Sequence, residues 1–270
     1  MVRFCAILAY DGTRYAGFQR QANALSVQGE VEAALRRILG VETPIIGAGR
    51  TDAGVHACGQ VIAFDAEWRH GDQALLTALN HALPVDISLL EIYQRPGLHP
   101  RYDALSRAYD YSVWASPVRH PLMIRTSWHV PQSLDVERMN AAARVLVGRH
   151  DFATFGRPPQ GESTVREVFA SEWRTQPSPY GDMLVYRIEA TAFLNQMVRR
   201  IVSMLVDVGR GWRGEQDFRE AFRAADLRCC GKPAPPHGLV LVAVRYPSGD
   251  QIIERDKQRR LIQTQKDQEA

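Results

Sequence analysis

One order of hydrophobic segments occurs twice along the chain, and it restricts the fold more than any single motif. In the first half, residues 2–10 (VRFCAILAY) are rich in strand formers and stop at the turn 11-DGT-13. Residues 27–39 (VQGEVEAALRRIL) place Val31, Ala34, Leu35 and Ile38 at helical spacing behind Ser26, a side chain suited to cap the first turn. Two strand-like runs follow, 43-TPIIGAG-49 and 59-GQVIAFD-65. A second helix at about 73–83 stops before Pro84, and 87–94 (ISLLEIYQ) closes the half as a strand. The second half opens with the alternating, aromatic strand 107-RAYDYSVW-114 and a helix at about 135–147. Strands at 165–175 and 183–193 come next, then a helix at 195–209 with Gly209 as its expected C′ residue. A short helix at about 215–224 precedes a last strand, 238-GLVLVAVRY-246.

Each half therefore reads β-α-β-β-α-β, the split βαβ order of ferredoxin-like and RNA-recognition domains. The expected fold is α+β: two such halves, 1–105 and 106–247, with a central antiparallel or mixed sheet and a cleft between them. Residues 248–270 are polar and charged, expected as a disordered or solvated helical tail. A 270-residue chain that is 45% hydrophobic has material for one large or two small cores. It has no apolar run of about 18 residues and so no expected membrane span. The N-terminal apolar run lacks a small-residue cleavage site and reads as a strand, which makes a cytoplasmic location the expectation. Cys5, Cys58, Cys229 and Cys230 show no CxxC spacing, and the adjacent pair closes a bridge only with strain. Four reduced thiols are expected.

The net charge of +3 decides little, but its make-up is informative. Of 33 basic residues only Lys232, Lys257 and Lys266 are lysines, so every basic residue before 232 is an arginine. The planar guanidinium fork suits phosphates and stacks on bases. A GC-rich coding sequence raises the arginine share as well. More specific are 10-YDGTRYAGFQRQ-21 and 99-HPRYDALSRAYDYSVW-114, where arginines interleave with aromatics as in contacts to phosphates and unstacked bases. Ordinary strand aromatics beside snorkelling arginines fit either stretch taken alone. In 193-FLNQMVRRIV-202, Arg199 and Arg200 sit mid-helix among apolar residues, as on a helix with one solvated basic face.

The stretch 47-GAGRTDAGVHA-57 sets one carboxylate, Asp52, among glycines and small residues, next to Arg50. Gly47, Gly49 and Gly54 permit backbone conformations and close approaches that side chains would block, which suits a carboxylate presented at the floor of a cleft against a bulky ligand. Arg50 is placed to keep the acid ionised. A glycosidase needs a second carboxylate, which this loop lacks. Asp52 and His56 make a poor metal pair, because i,i+4 spacing converges only on a helix. A lone carboxylate acting as nucleophile or base is chemically sufficient. A turn aspartate that caps its own backbone also fits these residues.

These stretches together resemble the tRNA pseudouridine synthase A family. GRTDAGVHA resembles its catalytic signature. YDGTRYAGFQRQ (10–21), HPRY and RAYDY (99–111), DFATF (151–155), FLNQMVRRIV (193–202) and GLVLVAVRYP (238–247) match family blocks in the family's order, covering about residues 3–247. The resemblance implies a pseudouridine synthase fold and isomerisation of uridine to pseudouridine at positions 38, 39 and 40 of the tRNA anticodon stem-loop. It implies no cofactor and no metal, and a homodimer that handles tRNA across both subunits. Carried over residue by residue, Asp52 is the catalytic aspartate and Tyr109 stacks on the target base. Arg50 helps flip the uridine, Arg101 contacts phosphate or positions its loop, and Leu239 supplies an apolar wall that strengthens the Arg50–Asp52 interaction. The stretch 156-GRPPQGEST-164 is variable, with an open role in gripping tRNA. Three rivals stand beside this reading: an RNA-binding module without chemistry, a related synthase with another RNA target, and a carboxylate hydrolase that would release free uracil.

Overall fold

Strand β1 (Val2–Tyr10) buries Phe4, Ala6, Leu8 and Tyr10 at alternate positions, the period-two pattern of a strand with one face on a core. The computed structural model describes residues 1–158, 161, 163–178 and 180–248. The expected tail from 249 onward, and positions 159, 160 and 162 of the 156–164 stretch, lie outside the described residues. The chain divides into two compact units: Met1–Leu105 with the chain from Ala243, and Ser106–Val242.

In the first unit, β1 is followed by α1 (Val27–Leu39), β2 (Ile46–Gly47), β3 (His56–Ala66), α2 (Asp72–Ala82) and β4 (Ile87–Gln94). Ser26 caps α1 by accepting from Gly29 N–H, and Gly40 ends it in the left-handed region at φ 75°. Val27, Val31, Ala34 and Leu35 form the buried stripe of α1. Strand β1 pairs antiparallel with β3 and β4, and β2 pairs antiparallel with β3, so the spatial order is β4-β1-β3-β2. That is the split βαβ order. The run expected as a strand at 43–49 pairs only at Ile46 and Gly47. Beyond that pair, Ala48 N–H donates to Val61 O at 2.8 Å, Glu32 accepts from Ile45 N–H at 3.2 Å, and Gln60 donates to Gly49 O at 2.8 Å.

The second unit runs β5 (Ser106–Ala115), β6 (Trp128–Val130), α3 (Val136–Ala143), β7 (Gly148–Asp151), β8 (Val165–Gln176), β9 (Met183–Ala190), α4 (Met197–Gly209), α5 (Glu215–Arg223) and β10 (Leu239–Arg245). Its strands lie in the order β10-β5-β9-β8-β7, with β6 parallel to the end of β5. Counted by role, β5, β8, β9 and β10 repeat the order of the first unit, and the protein is a mixed α+β fold. The short strands β6 and β7 were not expected; β7 carries Arg149, His150 and Asp151, which give no hydrophobic alternation.

Two details of the second unit correct the sequence reading. Gly209 is not a C′ residue but the last helical residue of α4, where a Cβ would lie 2.5 Å from Met139 Sδ on α3. The left-handed stop comes two residues later, at Gly211, φ 74°. Helix α3 is also shorter than expected, tightening into a 3-10 turn at Arg144–Leu146. The DFATF segment is core: Phe152 and Phe155 are fully buried against Phe222, at ring separations of 5.2 and 5.6 Å.

Candidate active site

The loop that carries Asp52 leaves β2 at Gly47 and enters β3 at His56. Its shape is set by the other conspicuous stretch of the first unit, residues 10–18. Thr51, the residue before Asp52, is buried, and its hydroxyl meets the Tyr10 phenol at 2.8 Å. Its carbonyl accepts from Phe18 N–H at 3.1 Å. Val55 N–H closes a turn on the Asp52 carbonyl at 3.1 Å, and Gly54 N–H reaches Tyr15 O at 3.3 Å. Gly12 N–H donates to His56 Nδ1 at 3.0 Å, and Asp11 Oδ1 lies 3.1 Å from the same ring nitrogen.

Three glycines are demanded by this interlock: Gly17, at φ 110°, would set a Cβ 2.8 Å from Thr51 O. A Cβ on Gly12 would fall 2.0 Å from Val55 O, and one on Gly47 would fall 2.5 Å from the Phe18 ring. Gly49 is different, because a Cβ there meets nothing within 4 Å. Asp52 itself is half-buried and is the first residue of this locked turn, with Ala53 and Gly54 at its tip.

Arg50 does not pair with Asp52. It is exposed, and among the described residues its guanidinium makes no ion pair or hydrogen bond. The intervening Thr51 turns inward onto Tyr10, and Arg50 is left toward solvent. Arg101 belongs to a turn at the other end of β1. Leu98, just before it, packs on Cys5 and Ala63, whereas the Asp52 loop closes on Tyr10. Five strand residues separate those levels, roughly 16 Å.

In the second unit Tyr109 lies on β5 opposite Ile188 of β9, buried, with its ring edge-on to Phe193 at 5.1 Å and 87°. Leu239 is buried at the start of β10. Its segment is tied to β5 by Tyr111, whose phenol donates to Pro235 O at 2.8 Å. Tyr111 is two residues from Tyr109 and shares its face of the strand. This unit thus brings the segments of Tyr109, Phe193 and Leu239 to one strand. Arg199 and Arg200 do not form the solvated face expected of them. Arg199 Nε donates to Ala234 O at 2.7 Å and Arg200 to Gly231 O at 2.9 Å, pinning the chain that leads to Leu239.

Sequence reasoning missed Tyr10, Thr51, Gly12 and Phe18 as supports of the Asp52 loop. The signal was present in the composition of 10-YDGTRYAGF-18, but nothing local ties it to residue 51.

A family model described as tRNA pseudouridine synthase matches residues 6–103 and 142–247. A tRNA pseudouridine synthase A from Syntrophotalea carbinolica is 41% identical over 252 residues, 90% of this chain and 96% of that protein. The one from Chloroflexus aurantiacus is 40% identical over 90% of this chain and 88% of its own length. The one from Methylacidiphilum infernorum is 37% identical over 92% and 96%. Matches of this extent over both units mean that the chain belongs to the tRNA pseudouridine synthase family and is an isomerase of tRNA uridine.

Proposed function

We propose that this enzyme converts uridine to pseudouridine at positions 38, 39 and 40 of the tRNA anticodon stem-loop, with Asp52 as its catalytic carboxylate and no cofactor. The observation that carries the catalytic assignment is the locked turn around Asp52. Tyr10, Phe18 and Tyr15 hold its backbone on both sides, which supports a group that must meet a sugar at fixed distance. The carboxylate acts on the ribose, at C1′ as nucleophile or at the C2′ proton as base. Either way the N1–C1′ bond breaks, the uracil turns, and C5 joins C1′. The C5 proton goes to solvent and N1 ends protonated, so atoms balance without hydrolysis or a redox partner. A single acid is enough because no water needs activation.

Arg50, exposed and without a protein partner among the described residues, fits the role of taking a phosphate or the space of the flipped base. Tyr109 is assigned to stack on the target base, Leu239 to wall it, and Arg101 to a phosphate farther along the RNA. The working form is assigned as a cytoplasmic homodimer. The test is tritium release from [5-³H]uridine-labelled tRNA by wild type and Asp52→Ala, with the modified positions mapped. Release by wild type alone, at 38–40, is expected. Release by both proteins removes Asp52 from the mechanism, and modification elsewhere favours the related synthase with another target.

A further inference from the structure

The turn 99-HPRYD-103 builds an exposed aromatic on a rigid base. Tyr102 is 62% exposed, whereas Leu98 and Asp103 on either side of the turn are at most 1% exposed. The backbone beneath the ring is held at every residue. Asp103 accepts from His99 N–H at 2.8 Å and donates its own N–H to His99 O at 3.0 Å. His99 Nδ1 accepts from both Arg101 N–H and Tyr102 N–H at 3.2 Å, and Tyr246 donates to Pro100 O at 2.8 Å. The His99 ring supports the Tyr102 ring at 4.3 Å and 31°, and the Arg101 guanidinium lies 5.6 Å from its centroid. The one carboxylate of the turn is buried and accepts from His99 N–H, so the exposed part of the turn is the Tyr102 ring, with the half-buried Arg101 at its edge.

We infer that Tyr102 is a stacking site for an unpaired nucleobase of the tRNA, with Arg101 on the adjoining phosphate. This rests on the reading of the chain as a tRNA enzyme. Every base has a π-face, so such a platform grips single-stranded RNA without reading sequence. A ring whose backbone is already fixed loses little freedom on binding. The separation along β1 between this turn and the Asp52 loop, roughly 16 Å, means that the base taken here is not the target uridine. Tyr102 therefore acts on binding and register, not on the chemical step.

The experiment measures tRNA Kd and steady-state kinetics for wild type, Tyr102→Phe and Tyr102→Ala, with folding checked by thermal melting. Tyr102→Phe is expected to match wild type. Tyr102→Ala is expected to raise Kd and KM roughly 5- to 100-fold and to leave kcat at saturation unchanged. An abasic scan of the anticodon arm then finds one non-target position whose loss weakens wild type but not Tyr102→Ala. Unchanged Kd and KM in a folded Tyr102→Ala protein, or no abasic position with that behaviour, overturns the inference. Absence of tritium release by wild type overturns the isomerase reading instead, and the Kd comparison still decides the stacking site.

Discussion

Asp52 is one half-buried carboxylate whose usefulness depends on the residue before it. Thr51 anchors the turn through its carbonyl, which accepts from Phe18 N–H, and through a hydroxyl contact with Tyr10 that spans 41 residues of sequence. Asp52→Asn keeps the size of the side chain and removes its charge. It should lower turnover by at least about 10²-fold with the melting temperature unchanged, read by tritium release and calorimetry. Tyr10→Phe removes only the phenol oxygen. It should cost about 1 kcal/mol of stability and reduce kcat several-fold with KM held, because the carboxylate is misplaced while the RNA surface is intact. Equal falls in kcat and rises in KM would mean that Tyr10 supports the fold alone. The identity and neighbourhood of Asp52 were legible in GRTDAGVHA. Its support by Tyr10 and its independence from Arg50 were not, since adjacency in sequence says nothing about which way each side chain turns.

Glycine positions show how elements fit against each other. Gly12→Ala drives a Cβ into the Val55 carbonyl and should separate the 10–18 segment from the Asp52 loop, with loss of both stability and activity. Gly49→Ala meets open space and should change stability by no more than about 0.5 kcal/mol, with activity retained. Gly209→Ala should cost about 1–3 kcal/mol, the usual penalty of overpacking, because α3 and α4 touch there through Met139. Chemical denaturation of the three variants orders them. The helices and long strands were legible, because a stripe at 3.6 residues, an alternation at two and a capping serine are local signals. The strands β6 and β7 were not, being three and four residues long. The end of α4 was misread because Gly209 serves a neighbouring helix, not its own terminus.

Across the whole molecule, burial disfavours charge on several groups that ionise at high pH. It pushes the Cys5 thiol and the Tyr15 phenol up to about 12, and raises Tyr93, Tyr111, Tyr186 and the Cys230 thiol as well. Their neutral forms are favoured only in the folded state. The stability they contribute is complete below the ordinary ionisation range of Cys and Tyr, which begins near 9.0. It is lost as pH rises from there toward about 12, since the unfolded chain releases its protons first. Melting temperature should be level from pH 7 to 9 and fall steeply above it; a flat profile to pH 11 would contradict the burial of these groups. By itself the sequence determined what local patterns carry: the doubled element order, the helix caps and a lone carboxylate in a glycine-rich loop. Tertiary structure alone decided what depends on distant backbones meeting: the Tyr10–Thr51 anchor, the clash that reserves Gly12, the arginines that pin residues 231–234, and Arg50 standing apart from Asp52. The division has one cause. Periodicity and capping act within a few residues, whereas a contact across 41 residues exists only once strand register has brought its two ends together.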